Sequence, residues 1–285
     1  APQLHADGYA LHNMASLHHI TVIGACMTAT HGSGDKSGNL ATAVAGLEMV
    51  TANGDVVTLT RSANPDTFPG AVVALGALGV VTKVTLDLLP TFEMHQEVYE
   101  WLPMRHLDDA FDAIMSAGYS VSLFPKWQSD SIDTVWVKQK VVAGQAVNVP
   151  PTLFDAPLAA HTRPLEDISD RYGTGVGTAG PWHERMPHFV FKDAEQIGDE
   201  LQSEYFVPRK DAVAAMKAVA QLREGLAPIL GVSEIRSVAA DDLWLSTAYG
   251  YDIIGIHFNW RKNWAGVSAM LPVIEGLKKS APFLA

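Results

Sequence analysis

The stretch "GACMTATHGSGDKSGN", residues 24–39, sets four glycines around one cysteine and one His-Gly-Ser-Gly run. Glycine enters positive φ freely and lets other groups come close to the backbone, but it gives up more conformational freedom on folding than any other residue. Four of them so close together imply that something approaches the main chain here. The spacing G-S-G-D-K-S-G is neither that of a Walker A loop nor that of a dinucleotide fingerprint. On the residues alone, a tight turn and a ligand loop stand as equal alternatives.

Other short motifs fall away on their context. Gly175, Gly177 and Gly180 form a true G-x-G-x-x-G, but no strand precedes it and Pro181 closes it, so it reads as a loop. His183, Glu184 and His188 are spaced one residue too far apart for H-E-x-x-H, and Pro187 breaks the helix that motif needs. The adjacent His18 and His19 point to opposite faces of a strand. No metal site is expected from these. Ser33 lies in H-G-S-G-D rather than in G-x-S-x-G, which leaves a hydrolase using Ser33 and His31 with little support.

The 285 residues are enough for one large domain or two smaller ones. A formal charge of −11 argues against nucleic acid and anionic membrane as partners. No apolar run is long enough to span a bilayer. The single cysteine, Cys26, fits a reducing compartment, and the expected location is the cytoplasm. The opening "APQLHADGYALHN" reads as the middle of an amphipathic helix, and the last helix ends where the chain does, which implies a piece of a longer protein.

Along the chain, Asn53-Gly54 marks a hairpin, and Val84, Leu86 and Leu88 alternate as a strand closed by Pro90. From about 93 the texture becomes a mixture of strands (94–101, 119–124, 133–140, 201–209, 230–238, 251–260) and helices (105–118, 209–226, 265–280). The stretch 143–190 reads as a long surface excursion. The expected fold is α+β, with a first domain over 1–92 and a second over 93–285, the latter an antiparallel sheet with helices on one face.

Two strands of the second part carry polar chemistry. Period-two alternation puts Glu234 and Arg236 on one face of "GVSEIRSV". In "YDIIGIHFNWR", Ile254, Ile256, Phe258 and Trp260 make an apolar face, while Gly255, His257 and Asn259 share the other. A face built from Glu234, Arg236, His257 and Asn259 suits a hydroxyl-rich ligand, and a solvated ion pair is the competing reading.

Together these segments resemble a known family. The block from "HNMASLHHITVIGACMTATHGSG" through "GALGVVTKVTLDLLP" is similar to the second half of the PCMH-type FAD-binding domain of the vanillyl-alcohol-oxidase type flavoproteins. "SEIRSVAADDLWLS" and "IHFNW" resemble the alditol (xylitol, sorbitol) oxidases among them. The resemblance implies FAD as cofactor, held by Thr30, His31, Gly32, Gly34, Gly38 and Asn39, with Val80 and Val81 meeting its adenine side through main chain. It implies that Ser33 faces substrate beside the ring, that Glu234 and Arg236 are the substrate-binding and catalytic pair, and that His257 belongs to the same site. Asn259 stands where the family has a threonine. The implied reaction takes a hydride from the terminal carbinol of a polyol to the flavin, with dioxygen then reduced to hydrogen peroxide.

The family's pyrophosphate loop and its "G-S-R-H-S" type histidine, which bonds the flavin covalently, have no counterpart here, nor does a C-terminal active-site lysine. Two readings therefore stand side by side: an alditol oxidase, or a non-catalytic remnant that binds polyol or flavin weakly or acts as a scaffold. Exposed edges left by a missing half would favour self-association.

Overall fold

The computed structural model describes residues 1–16, 20–142, 145–159, 175–188 and 201–280, so the His18-His19 pair lies outside the described residues. The first sheet has three antiparallel strands, with β1 (Val44–Val50) in the middle and β2 (Val56–Thr60) and β3 (Val80–Leu86) outside it. The β1–β2 connection turns at Gly54, whose φ of +86° is open to glycine at little strain, and Thr51 N–H closes it on the Asp55 carbonyl. Two short helices, α1 (Val22–Met27) and α2 (Phe68–Val72), pack on this sheet. Cys26, Leu47, Met49, Phe68 and Val72 form its core, joined by Leu243 from a distant loop.

The second sheet has seven strands: β4 (Glu93–Pro103), β5 (Ser120–Phe124), β6 (Ser131–Val141), β7 (Gly180–Pro181), β8 (Leu201–Pro208), β9 (Leu230–Val238) and β10 (Ile253–Trp260). They lie in the order β7-β4-β6-β5-β9-β10-β8, and every pairing is antiparallel. Helix α3 (His106–Met115) buries Leu107, Phe111, Ile114 and Met115, a helical stripe facing the sheet. Helices α4 (Ala212–Ala220) and α5 (Trp264–Ser280) pack beside it. Their apolar residues share one core with Val121, Leu123, Val135, Val137, Ile235, Ile254, Ile256 and Phe258, so all three helices cover the same sheet face. The fold is α+β, with an antiparallel sheet and helices on one side, as the alternating strands imply.

Local departures have local causes. The opening helix is only Pro2–Ala6, because Asp7-Gly8 turns the chain at a φ of +88° into a two-residue strand, Tyr9–Ala10, paired with Leu89–Pro90. The strand expected to reach Leu88 ends at Leu86. The helix expected over 209–226 breaks after Ala220 and resumes for one turn at Arg223–Leu226. Within the expected excursion, the described parts hold the hairpin Thr152–Leu153/Ala156–Pro157, strand β7 on the sheet edge, and a helical turn at Trp182–Arg185 that buries Trp182 fully. The chain from that turn to His188 meets the sheet face opposite α3, α4 and α5, through Lys138 and Glu234. Among the described residues no helix is long and apolar enough to cross a membrane.

Candidate active site

Sheet register assembles the site. On the helix-free face Glu234 stands opposite His257, which stands opposite Glu204 on β8. One pair further along, Arg236 is opposite Gly255. A Cβ at Gly255 would lie 2.6 Å from Glu204 Oε1, so the missing side chain opens a lane for that carboxylate. Through it Arg236 Nη2 donates to Glu204 Oε1 at 2.7 Å, and the other oxygen lies 3.3 Å from His31 Nε2. Arg236 Nη1 donates to Ser16 Oγ at 3.1 Å. The third nitrogen, Nε, is buried without a hydrogen-bond partner among the described residues and sits 3.9 Å from Glu234 Oε2.

The second Glu234 oxygen meets His188, whose Nε2 is 2.7 Å from Oε1. Glu234, Arg236 and His188 are all buried. Burial acts to raise both carboxyls, yet Arg236 beside both, with His31 near Glu204 and His188 near Glu234, outweighs it and holds both well below the usual carboxylate range. Burial, and then Arg236, lowers His257, whose ring is 3.4 Å from the Gln202 carbonyl oxygen. Both glutamates are thus ionised around a guanidinium, and the cluster offers a charged donor and a charged acceptor side by side.

The glycine loop meets the end of β9. Gly34 bridges Val238 in parallel, Gly34 N–H donates to the Ser237 carbonyl, and Ala239 N–H donates to the Ser37 carbonyl. Ser33 Oγ donates to the Val121 carbonyl and accepts from Ser237 N–H at 3.2 Å, so its hydroxyl ties the loop to β5 and β9. Asp35 takes a bidentate pair from Arg209 at 2.8 and 2.9 Å. Asn39 accepts from Ala41 N–H and donates to Asp241 at 2.6 Å and Ser246 at 3.0 Å. His31 Nδ1–H donates to the Gly32 carbonyl at 2.8 Å, and its ring packs edge-on to Phe206.

Much of the backbone approach that the glycines permit is by the protein's own chain. A Cβ at Gly32 would lie 2.3 Å from the Met14 carbonyl, one at Gly34 2.7 Å from the Tyr119 carbonyl, and one at Gly38 2.7 Å from Thr42 Cγ2. Thr30 reaches Thr28 through its hydroxyl at 3.0 Å. Val81 packs into the small core, while Val80 is 71% exposed on the outer strand β3. Asn259 lies on β10 opposite Gln202 and Val232, two residues along from His257. A cleft of about 220 Å³ lined by Thr42, Arg61, Phe68 and Asp242 lies by the small sheet, away from Glu234.

A group with phosphate or ring oxygens needs free backbone donors. Thr30, Gly34, Ser37 and Leu40 spend their amides on internal acceptors. Those of His31, Gly32 and Ser33 are not spent on a recorded internal acceptor among the described residues, which fits an acidic or flavin-like ligand along this edge.

Residues 1–60 match the family model of an FAD binding domain. Alditol oxidase from a Streptomyces species is 43% identical over 280 residues, covering 97% of this chain and 64% of that protein. The chain is thus similar to FAD-binding oxidases over nearly its whole length. A second relative, L-gulono-1,4-lactone dehydrogenase of Mycobacterium tuberculosis, is 28% identical over 90% of the chain and 62% of its own length. The fold is that of cholesterol oxidase from Brevibacterium sterolicum, at a TM-score of 0.72 with 14% identity, covering 98% of this chain and 65% of that one. The chain spans just under two thirds of the length of these two relatives, and FAD is the cofactor for which its matched segment is built.

Sequence reasoning singled out Glu234, Arg236, His257 and the glycine loop, and these do converge on one face. It passed over Glu204 and Lys138, and it weighed His188 only as a metal ligand. Glu204 sits in "LQSEYFVPR", where the alternation is weak, and only its register against Gly255 reveals its aim.

Proposed function

We propose that this flavoprotein contributes the substrate site of an FAD-dependent alditol oxidase, which converts the terminal hydroxyl of a polyol such as xylitol or sorbitol to the aldehyde. The observation that carries the reading is the pair of Arg236 Nε and Glu234 Oε2. At 3.9 Å they are too far apart for a mutual hydrogen bond, yet an oxygen about 2.8 Å from each completes the triangle. A hydroxyl there accepts from the buried guanidinium and donates to the carboxylate. As its proton leaves, the guanidinium stabilises the charge growing on oxygen, and Glu234 orients or takes the proton. Glu204 and His31 keep Arg236 in place, while His257 and Asn259 line the same face for further hydroxyls. FAD, when bound along the glycine loop, would supply the hydride acceptor and the chemistry that reduces dioxygen to hydrogen peroxide.

In this reading the edge from Thr30 through Asn39 carries the flavin contacts. The amides of His31 and Gly32 are the best placed donors, with Gly34, Gly38 and Asn39 shaping the loop. Val80 and Val81 meet the adenine side through main chain. Ser33 acts through its amide, because its hydroxyl already bridges Val121 and Ser237. The division near residue 92 separates a flavin-side unit from the sheet that holds substrate, and the location is cytoplasmic.

The test is the absorbance spectrum of the purified chain after incubation with FAD and removal of excess, followed by xylitol in air with peroxide detection. A retained flavin band and xylitol-dependent peroxide support the oxidase. A chain that takes up no flavin but binds xylitol by calorimetry supports the alternative of a binding remnant.

A further inference from the structure

Beyond His188, the imidazole that meets Glu234, lies a charged group that the proposed reaction does not use. Lys138 on β6 is 1% exposed. Its ammonium donates to the Met186 carbonyl at 2.5 Å and has the Pro187 carbonyl at 3.5 Å. Among the described residues it meets no carboxylate directly. Its remaining close partner is His188 Nδ1 at 3.0 Å, and the opposite ring nitrogen, Nε2, is the one 2.7 Å from Glu234 Oε1. Trp136 and Phe124 wall the imidazole at ring-centroid distances of 5.0 and 5.8 Å, and Ser122 Oγ lies 3.0 Å from Nε2.

An ammonium has donors only, so opposite it Nδ1 must accept. The ring proton then sits on Nε2 and points at Glu234. We propose that Lys138 and His188 are positioning residues for Glu234: the ammonium fixes the Nε2–H tautomer, that hydrogen holds Oε1, and Oε2 is left facing Arg236 and the polyol hydroxyl. This rests on reading Glu234 and Arg236 as the polyol site.

The arrangement is sensitive to one proton. A neutral Lys138 can accept from Nδ1–H, which would turn the bare Nε2 lone pair on the Glu234 carboxylate and release it. Burial pulls Lys138 down to about 7 against the opposing pull of Glu234. Burial, and then Lys138, also lowers His188, which keeps the ring neutral. Among the described residues, the charged groups facing this ring include Lys138 from β6 and Glu234 with Arg236 from β9, while Glu204 and His257 stand further along the face.

The experiment follows xylitol affinity by calorimetry against pH, together with the imidazole ¹⁵N signals of His188 and the carboxyl ¹³C signal of Glu234. In the unmodified chain, His188 is expected as Nε2–H below the transition, with both signals inflecting together as pH passes about 7 and affinity falling about tenfold above it. In Lys138→Met the joint inflection is lost and affinity is low throughout, whereas Lys138→Arg retains the low-pH affinity and loses the alkaline fall. An Nδ1–H tautomer at low pH, or signals that do not move together, overturns the proposal even if both variants fail to fold. If xylitol binds at no pH, the reading of the polyol site fails, and the two nuclear signals alone still decide the role of Lys138 and His188.

Discussion

A single absent side chain sets the geometry of Arg236. Gly255→Ala puts a methyl 2.6 Å from the Glu204 carboxylate, the far end of a flexible side chain that can swing aside. The variant is expected to fold with little change in melting temperature but to lose the Glu204–Arg236 pair, raising KM for xylitol about tenfold, or about 1.4 kcal/mol of binding. Unchanged KM would mean Arg236 does not depend on Glu204. Gly32→Ala is the contrasting case: its neighbour is the Met14 carbonyl at 2.3 Å, backbone that cannot step aside. That variant should lose flavin retention or fail to fold. Ser33→Ala is different again, since it leaves the buried Ser237 N–H and Val121 carbonyl short of a partner. The loss in denaturant stability should be about 1–3 kcal/mol.

At the scale of elements, the glycine loop meets the end of β9 through one bridge, Gly34–Val238, and is pinned by Asp35–Arg209 and Asn39–Asp241. Asn39→Ala removes a helix cap and two side-chain bonds at once, and a stability loss of roughly 2 kcal/mol is expected from thermal melts. A loss near zero would show that the loop is held by its backbone bonds alone. The same elements show what the amino-acid sequence could and could not reveal. Alternation exposed the strands and the shared face of Glu234 and Arg236, because period-two patterning is local. Pairing across strands is not local, so nothing in "LQSEYF" aligned Glu204 with His257. Lys138 went unremarked within the strand expected over 133–140, since a buried ammonium is recognisable only by the carbonyls that surround it. The glycines raised the expectation of close backbone approach, but the Met14 and Tyr119 carbonyls that make it come from remote segments.

Over the whole molecule, the charges of the site link folding to pH. Glu204 and Glu234 are held below their ordinary value of 4.5, so their stabilisation is fully present above that value and is lost as pH falls through their lower folded values. Melting temperature should therefore drop on acidification below about 4.5, and less steeply in Glu204→Gln than in the unmodified chain. Equal slopes would remove Glu204 from the linkage. The central claim is that the unpaired Arg236 donor and the Glu234 carboxylate hold the reacting hydroxyl against the flavin edge. The most direct test is anaerobic bleaching of the flavin band by xylitol in the FAD-loaded chain, beside Glu234→Gln loaded to the same extent. The expected result is bleaching in the unmodified chain and a rate at least about 100-fold lower in the variant. Equal rates in the two proteins would contradict the claim.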